Sequence, residues 1–339
     1  MSFLSPPSGQ FPRVRLRRTR YHEWSRRLVA EHALSTHDLV WPLFVKEGQG
    51  ESVPITHMPG VFRYTIDTLI EKACQAYTHG IPAIMLFPCI EDSLKDVAAT
   101  ESYNPHNLVN RTVRALKDAC PDLGIICDVA LDPYTTSGHD GILCPKNRVD
   151  NDQTLPVLVQ QALEQAHAGA DAVAPSDMMD GRIGVVRDAL DDAGFQNVLI
   201  ISYAAKYASA FYGPFRNAIG SGSSLGGADK KHYQMDIANS DEARREIALD
   251  INEGADAIII KPGMPYLDVI TRTKETFAVP TWGFQVSGEY AMLEAAIEKG
   301  WIDRKNALIE SLICFKRSGA DAIITYYADD VARYLNERQ

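Results

Sequence analysis

Eight short apolar runs recur along the chain: LVWPLFV (39–45), PAIMLFP (82–88), GIICDVA (124–130), ADAVAPS (170–176), VLIISYA (198–204), ADAIIIKP (255–262), VPTWGFQVS (279–287) and ADAIITYYA (320–328). Each is rich in small and β-branched residues and has the length of a strand buried on both faces. Between them lie stretches with helical apolar spacing, such as TIDTLIEKACQAYTHG, TLPVLVQQALEQAHAG, DEARREIALDINEG and NALIESLICFKRSG. Three units share a phrase, HAGADAVAP, NEGADAIIIKP and RSGADAIITYY. In each a helix ends at Gly, a turn carries Asp171, Asp256 or Asp321, and a buried strand follows. Strand and helix alternating, with an internal repeat, predicts an α/β fold, a (β/α)8 TIM barrel rather than an open sheet.

The first 35 residues break this rhythm. They open MSFLSPPSGQFP and then crowd Arg13, Arg15, Arg17, Arg18, Arg20, Arg26 and Arg27. Such a segment reads either as a solvated tail or as an extended N-terminal arm that packs on another, acidic subunit. The division expected is therefore an arm for subunit contacts over 1–35 and a catalytic barrel over 36–339.

Composition narrows the function classes. At 339 residues, 45% hydrophobic and 23% charged, the chain can bury a sizeable core. A formal net charge of −10 argues against a general nucleic-acid binder. No apolar run approaches a membrane span, and no secretory apolar region opens the chain. Cys74, Cys89, Cys120, Cys127, Cys144 and Cys314 form no CxxC pair and read as reduced thiols, so the expected compartment is the cytoplasm.

In a barrel, reactive groups gather at the C-terminal ends of the strands. The unusual polar residues there are Asp128, Ser176, Asp177, Lys206, Lys261, Ser287 and Tyr326. Lys206 and Lys261 end consecutive strand candidates. Burial penalises an ammonium, and a second cation nearby penalises it further, which together favour a neutral, nucleophilic amine. Either lysine taken alone also reads as a strand-end residue that reaches for solvent. The segment 207–235 between them is long and Gly-rich, with Arg216, Lys230 and Lys231 to meet an acidic group, and reads as an active-site lid or a mobile surface loop. The loop DVALDPYTTSGHDG carries Asp128, Asp132 and Asp140, which suit a hard cation or an amine, or serve only as turn formers. Thiolate-bound zinc is not supported, because Cys127 and Cys144 lack companions, and His139 alone reads as a structural or supporting group.

DVALDPYTTSGHDGIL, PSDMMDGRIG, AKYASAFYGPFR, YQMDIANSDEA, KPGMPYLD and QVSGEYAM, in this order, resemble the porphobilinogen synthase (5-aminolevulinate dehydratase) family from about Arg13 to the last strand. The resemblance implies condensation of two 5-aminolevulinate molecules to porphobilinogen with loss of two waters, through Schiff bases on two lysines. By resemblance Lys261 holds the molecule that becomes the propionate side and Lys206 the one that becomes the acetate side. Ser287 and Tyr326 match ligands of the first carboxylate, and Arg216, Lys230 and Gln234 those of the second. Asp128 and Ser176 match groups that handle the first amine. Phe87 and Phe215 match apolar walls, and Tyr212 is a further substrate contact. Asp132 and Asp140 match positions for an active-site cation or amine. Zinc-using members carry cysteines where this chain has Ala130, Asp132 and Asp140, so the resemblance points to the zinc-independent, aspartate-rich type stimulated by magnesium, with Glu246 as the allosteric magnesium ligand. No organic cofactor is implied. The arm matches one that wraps a neighbouring subunit, typically in an octamer. Ser137, Ala205 and Phe284 depart from common family residues. Two other readings stay open: an aldolase-like Schiff-base barrel, for which one lysine would suffice, and a non-catalytic barrel serving assembly.

Overall fold

All eight apolar runs form strands, and two short additional strands join them. A computed structural model describes residues 9–219 and 229–337, and only the backbone at Arg216 and Asn217. The strands are β1 (Leu39–Lys46), β2 (Ser52–Pro54), β3 (Phe62–Tyr64), β4 (Ala83–Cys89), β5 (Gly124–Val129), β6 (Ala172–Pro175), β7 (Leu199–Lys206), β8 (Ala257–Lys261), β9 (Thr281–Gln285) and β10 (Ala322–Thr325). Strand β1 pairs in parallel with β4, and parallel pairing then runs through β5 to β10. Parallel pairing of β10 with β1, Leu39 opposite Ile323, closes an eight-stranded barrel. Strands β2 and β3 form an antiparallel pair beside the upper part of β1. This is the TIM barrel that the alternation predicts. By internal contacts the chain divides into Met1–Ala33 and Leu34–Gln339.

The Gly-Ala-Asp repeat has a structural role that its spacing did not reveal. Each aspartate receives a backbone N–H from the neighbouring strand: Ile125 to Asp171 at 2.8 Å, Ile200 to Asp256 at 2.7 Å and Thr281 to Asp321 at 2.8 Å. Each also donates its own N–H to the carbonyl of that same residue. The aspartates therefore pin the starts of adjacent strands, at the barrel end opposite Lys206 and Lys261. The glycine before each lets the helix stop, as at Gly254 with φ +106°.

Inside the barrel, Phe44, Phe87, Tyr203, Phe284 and Tyr326 pack as aromatic neighbours, with Phe44 stacked on Tyr326 at 5.9 Å between centroids. Outside it, Arg182 is fully buried beneath the layer of helices. It donates to both carboxylate oxygens of Asp250 (3.4 and 3.1 Å), to Ser202 Oγ (3.3 Å) and to the Tyr203 carbonyl (3.3 Å). In the arm, helices Arg18–Tyr21 and Glu23–Leu28 leave Phe11, Leu16, Tyr21, Trp24 and Leu28 exposed.

Candidate active site

Lys206 and Lys261 are direct partners across β7 and β8. Regular alternation would not bring both to the barrel mouth. Ser202, four residues before Lys206, faces Arg182 and Asp250 in the helical layer, and residues four apart on a regular strand share a face. Between Ser202 and Ala205 the register against β8 slips: three steps on β7 match two, Ile258 to Ile260, on β8. This bulge turns Lys206 inward to the mouth.

The two amines meet different surroundings. Lys261 Nζ lies 4.4 Å from the ring centroid of Phe284, 4.9 Å from Tyr203, 5.1 Å from Phe215, 5.7 Å from Tyr212 and 5.9 Å from Phe87. Burial in this aromatic cage, and then the charge of Lys206, lower its pKa from 10.5 to about 7, against the opposing pull of Asp128, Asp132 and Asp140. Lys206 instead donates to Asp140 Oδ1 at 3.2 Å and to the Ser176 carbonyl.

Asp128, on β5, is half-buried, and its buried Oδ1 has no hydrogen-bond partner. Burial raises its pKa to about 7, while Lys261, Lys206 and the Ser176 hydroxyl hold it down. A carboxyl and an amine that both titrate near neutrality, in one pocket, can exchange a proton at little cost. Asp140 behaves oppositely. Burial would raise it, but Lys206, Lys230 and the Tyr233 hydroxyl hold it well below the usual carboxylate range.

Lys230 bridges Asp132 Oδ2 at 3.1 Å and Asp140 Oδ2 at 2.7 Å. Both aspartates thus already face ammonium groups. Tyr212 donates to the Lys261 carbonyl at 3.1 Å. Ser287 accepts from the Phe215 N–H at 2.9 Å and donates to the Phe211 carbonyl. The buried Tyr326 hydroxyl and Gln234 Oε1 have no partner, which leaves two more polar atoms for a ligand to satisfy. Asp128, Asp132, Ser176, Lys206, Tyr212, Phe215, Lys230, Gln234 and Lys261 enclose one small cavity of about 30 Å³.

Of the strand-end residues singled out, Asp177 is the one turned elsewhere: its carboxylate sits 3.8 Å from Arg182 and accepts the Met179 N–H. The side chain of Arg216 and residues 220–228 of the expected lid lie outside the described residues. His139 supports the site, its Nδ1 3.2 Å from the Tyr233 hydroxyl, which donates to Asp140 at 2.7 Å. Sequence reasoning missed Tyr233, Tyr203 and the Arg182–Asp250 pair. Tyr233, Arg182 and Tyr203 lie within the quoted motifs and strand runs, as Tyr233 opens YQMDIANSDEA, but residue type alone gave them no role there.

Glu246 is not at the mouth. It lies on helix Asp241–Asn252 and lines a separate cavity of about 410 Å³ with Asp180, Asp236, Asn239 and Glu242. Gln234 lines both cavities. Burial raises the Glu246 pKa, Arg182 opposes this, and Asp250, Asp180 and Glu242 add to it. Four carboxylates, Asp180, Asp236, Glu242 and Glu246, thus line this one cavity. No group of three or more His, Cys, Asp or Glu side chains is placed to hold a metal ion among the described residues.

Comparison with known proteins is consistent with this geometry. The family described as ALAD, delta-aminolevulinic acid dehydratase, matches residues 13–334. A delta-aminolevulinic acid dehydratase of Bradyrhizobium diazoefficiens is 54% identical over 322 residues, 95% of this chain and 91% of the relative. One from Rhodobacter capsulatus is 47% identical over 335 residues, 99% of each chain. The crystal structure of the Toxoplasma gondii ME49 enzyme, delta-aminolevulinic acid dehydratase (porphobilinogen synthase) in complex with the reaction product porphobilinogen, superposes with a TM-score of 0.94. It is 48% identical and covers 96% of this chain and 92% of that one.

Proposed function

This chain belongs to the delta-aminolevulinic acid dehydratase family, and we propose that its chemistry runs through Lys261, Lys206 and Asp128 at the barrel mouth. The activity is the family's: two 5-aminolevulinate molecules condense to porphobilinogen with loss of two waters, EC 4.2.1.24. The observation that carries the assignment of residues is the Lys261 amine, caged by aromatic rings beside a second lysine and a carboxyl with one unpartnered oxygen.

With a pKa near 7, Lys261 is substantially neutral at physiological pH and attacks the ketone of the first substrate, expelling water as an iminium forms. Lys206 leaves its pair with Asp140 to bind the second ketone in the same way. The iminium withdraws electrons, so an adjacent carbon loses a proton, and Asp128 is the base placed to take it and return it. Ser176 and Asp128 receive the first amine. Ser287 and Tyr326 take the first carboxylate, and Arg216, Lys230 and Gln234 the second. Tyr212, Phe215 and Phe87 form the apolar walls. Fixing both carboxylates replaces a bimolecular encounter with an oriented one. Segments 207–219 and 229–235 act as the lid, since Tyr212, Phe215, Lys230 and Gln234 cover the cavity.

Glu246 is assigned to hold an allosteric magnesium ion, which would offset the negative charge of Asp180, Asp236 and Glu242 beside it. Zinc is not required in this reading, because Asp132 and Asp140 are matched by the ammonium groups of Lys230 and Lys206. The arm over 1–35 is assigned to subunit contacts in a homo-octamer, which would bury its exposed Phe11, Leu16, Tyr21 and Trp24, and 36–339 to the catalytic barrel. Six unpaired cysteines favour a reducing compartment such as the cytoplasm.

The test is porphobilinogen formation by chelator-treated protein, with magnesium and zinc restored separately. Product enhanced by magnesium and indifferent to zinc is expected, with the enhancement lost in Glu246→Ala. Equal magnesium stimulation in that variant would remove Glu246 from the reading. Absence of product from Lys261→Ala alongside full activity of Lys206→Ala would favour a one-lysine, aldolase-like site.

A further inference from the structure

The first turn of helix Ser287–Glu298 meets the site on three sides. Ser287 holds the Phe215 N–H. Gly288 lies against the backbone of Phe211, where an added Cβ would come within 2.5 Å of the carbonyl oxygen. Glu289 is fully buried, and its carboxylate is saturated by backbone amides: Oε1 accepts from Met264 N at 2.6 Å, and Oε2 accepts from Val286 N at 2.7 Å and Gly263 N at 3.3 Å. Gly263 and Met264 follow Lys261 by two and three residues. Val286 directly precedes Ser287.

We propose that Glu289 is a positioning residue for Lys261, whose carboxylate locks the loop after β8 to the first turn of the helix that presents Ser287. It thereby fixes the separation between the amine that takes the ketone and the hydroxyl that takes the carboxylate of the same substrate molecule. The inference rests on the reading of Lys261 as the imine-forming residue and Ser287 as a carboxylate contact. The geometry argues for a spacer rather than a simple cap. A cap needs only the Val286 N–H, within its own helix, whereas two of the three donors come from a loop 25 and 26 residues away in sequence. A glutamine cannot reproduce it. All three partners are donors, so whichever way the amide turns, its NH2 faces an N–H. Among the described residues Glu289 makes no hydrogen bond or ion pair with Lys206, which is held through β7, Asp140 and Ser176.

The experiment reduces the full-length protein with borohydride in the presence of 5-aminolevulinate and quantifies the adduct at each lysine by peptide mass spectrometry. In Glu289→Gln the Lys261 adduct is expected to fall about tenfold while the Lys206 adduct stays within about twofold of wild type, as expected for misplacing one reacting group. An equal fall at both lysines, or none, overturns the proposal. Should Glu289→Gln not yield folded protein, Glu289→Asp is read in the same way; it keeps the charge but is too short to span both segments. No Lys261 adduct in the wild type would instead refute the assignment on which the proposal rests.

Discussion

Replacing Lys206 by methionine keeps most of the length of the side chain and removes its charge. If the second cation helps hold Lys261 neutral, the Lys261 pKa must rise. Partner residues on adjacent strands lie about 5 Å apart, and two like charges about 6 Å apart at an effective dielectric near 20 repel by about 3 kcal/mol, or roughly 2 pKa units. Asp140 reduces that figure, since its carboxylate sits 3.2 Å from Lys206 Nζ and cancels part of the field. Burial is also the larger cause of the depression and survives the substitution. The net rise is therefore roughly 1 unit, from about 7 toward 8. At pH 7 the neutral fraction of Lys261 drops from near one half to about a tenth, and it recovers by about pH 9. The assay is the pH dependence of borohydride-trapped 5-aminolevulinate on Lys261, followed by peptide mass. A midpoint that stays put, or moves down, refutes the coupling between the two amines. Asp140→Asn carries the opposite sign: it exposes the charge of Lys206 and shifts the midpoint to lower pH.

Three further outcomes follow from buried charge and buried hydrogen bonds. Lys261 has a folded-state pKa below its ordinary 10.5, so its stabilising contribution is full above pH 10.5 and is lost as the pH falls to about 7. Lys261→Met is thus expected to be more stable than wild type in urea at pH 7 by a few kcal/mol, with the margin closing toward pH 10; lower stability at pH 7 contradicts the burial argument. Asp256→Ala removes the acceptor of the Ile200 N–H far from the mouth and should cost about 1–3 kcal/mol while leaving kcat unchanged, and a large loss of kcat would contradict a purely structural role. Arg182→Met strands Asp250 and releases Ser202 and the Tyr203 carbonyl. It should cost about 3–5 kcal/mol, and in the folded fraction it should reduce trapping at Lys206 more than at Lys261.

The barrel was legible because its causes are local and repeated. Eight apolar runs of strand length and a recurring helix stop are written in consecutive residues, and each became a strand or a capped helix end. The strand-end rule likewise located Asp128, Ser176, Lys206 and Lys261 around one cavity. It failed at Asp177 because Arg182, which claims that carboxylate, is buried only once two helices and β7 have assembled. It could not see the bulge either: the apolar run VLIISYAAK has no alternation to slip, so nothing in the residues marks the extra one. The β2–β3 pair was missed for a related reason, as each strand spans only three residues and has no period to detect.

The asymmetry of the reaction has a physical source in the same assembly. Lys206 and Lys261 sit at matching register on neighbouring strands, and by residue type they are interchangeable. Their surroundings are not. The barrel interior and the segment after β7 together supply Lys261 with five aromatic rings and no carboxylate oxygen at hydrogen-bond distance among the described residues, so water is excluded and the neutral amine is favoured. The loops above supply Lys206 with Asp140, itself held ionised by Lys230 and Tyr233, which ties that amine into an ion pair. On the proposed assignment, an incoming ketone therefore meets one amine free of any ion pair and one that must first leave its contact with Asp140. On that assignment two identical substrates would acquire different roles by this ordering. The ordering predicts that at limiting 5-aminolevulinate the first borohydride-trapped adduct forms on Lys261. Prior labelling of Lys206 would show that the ion pair with Asp140 does not delay that amine.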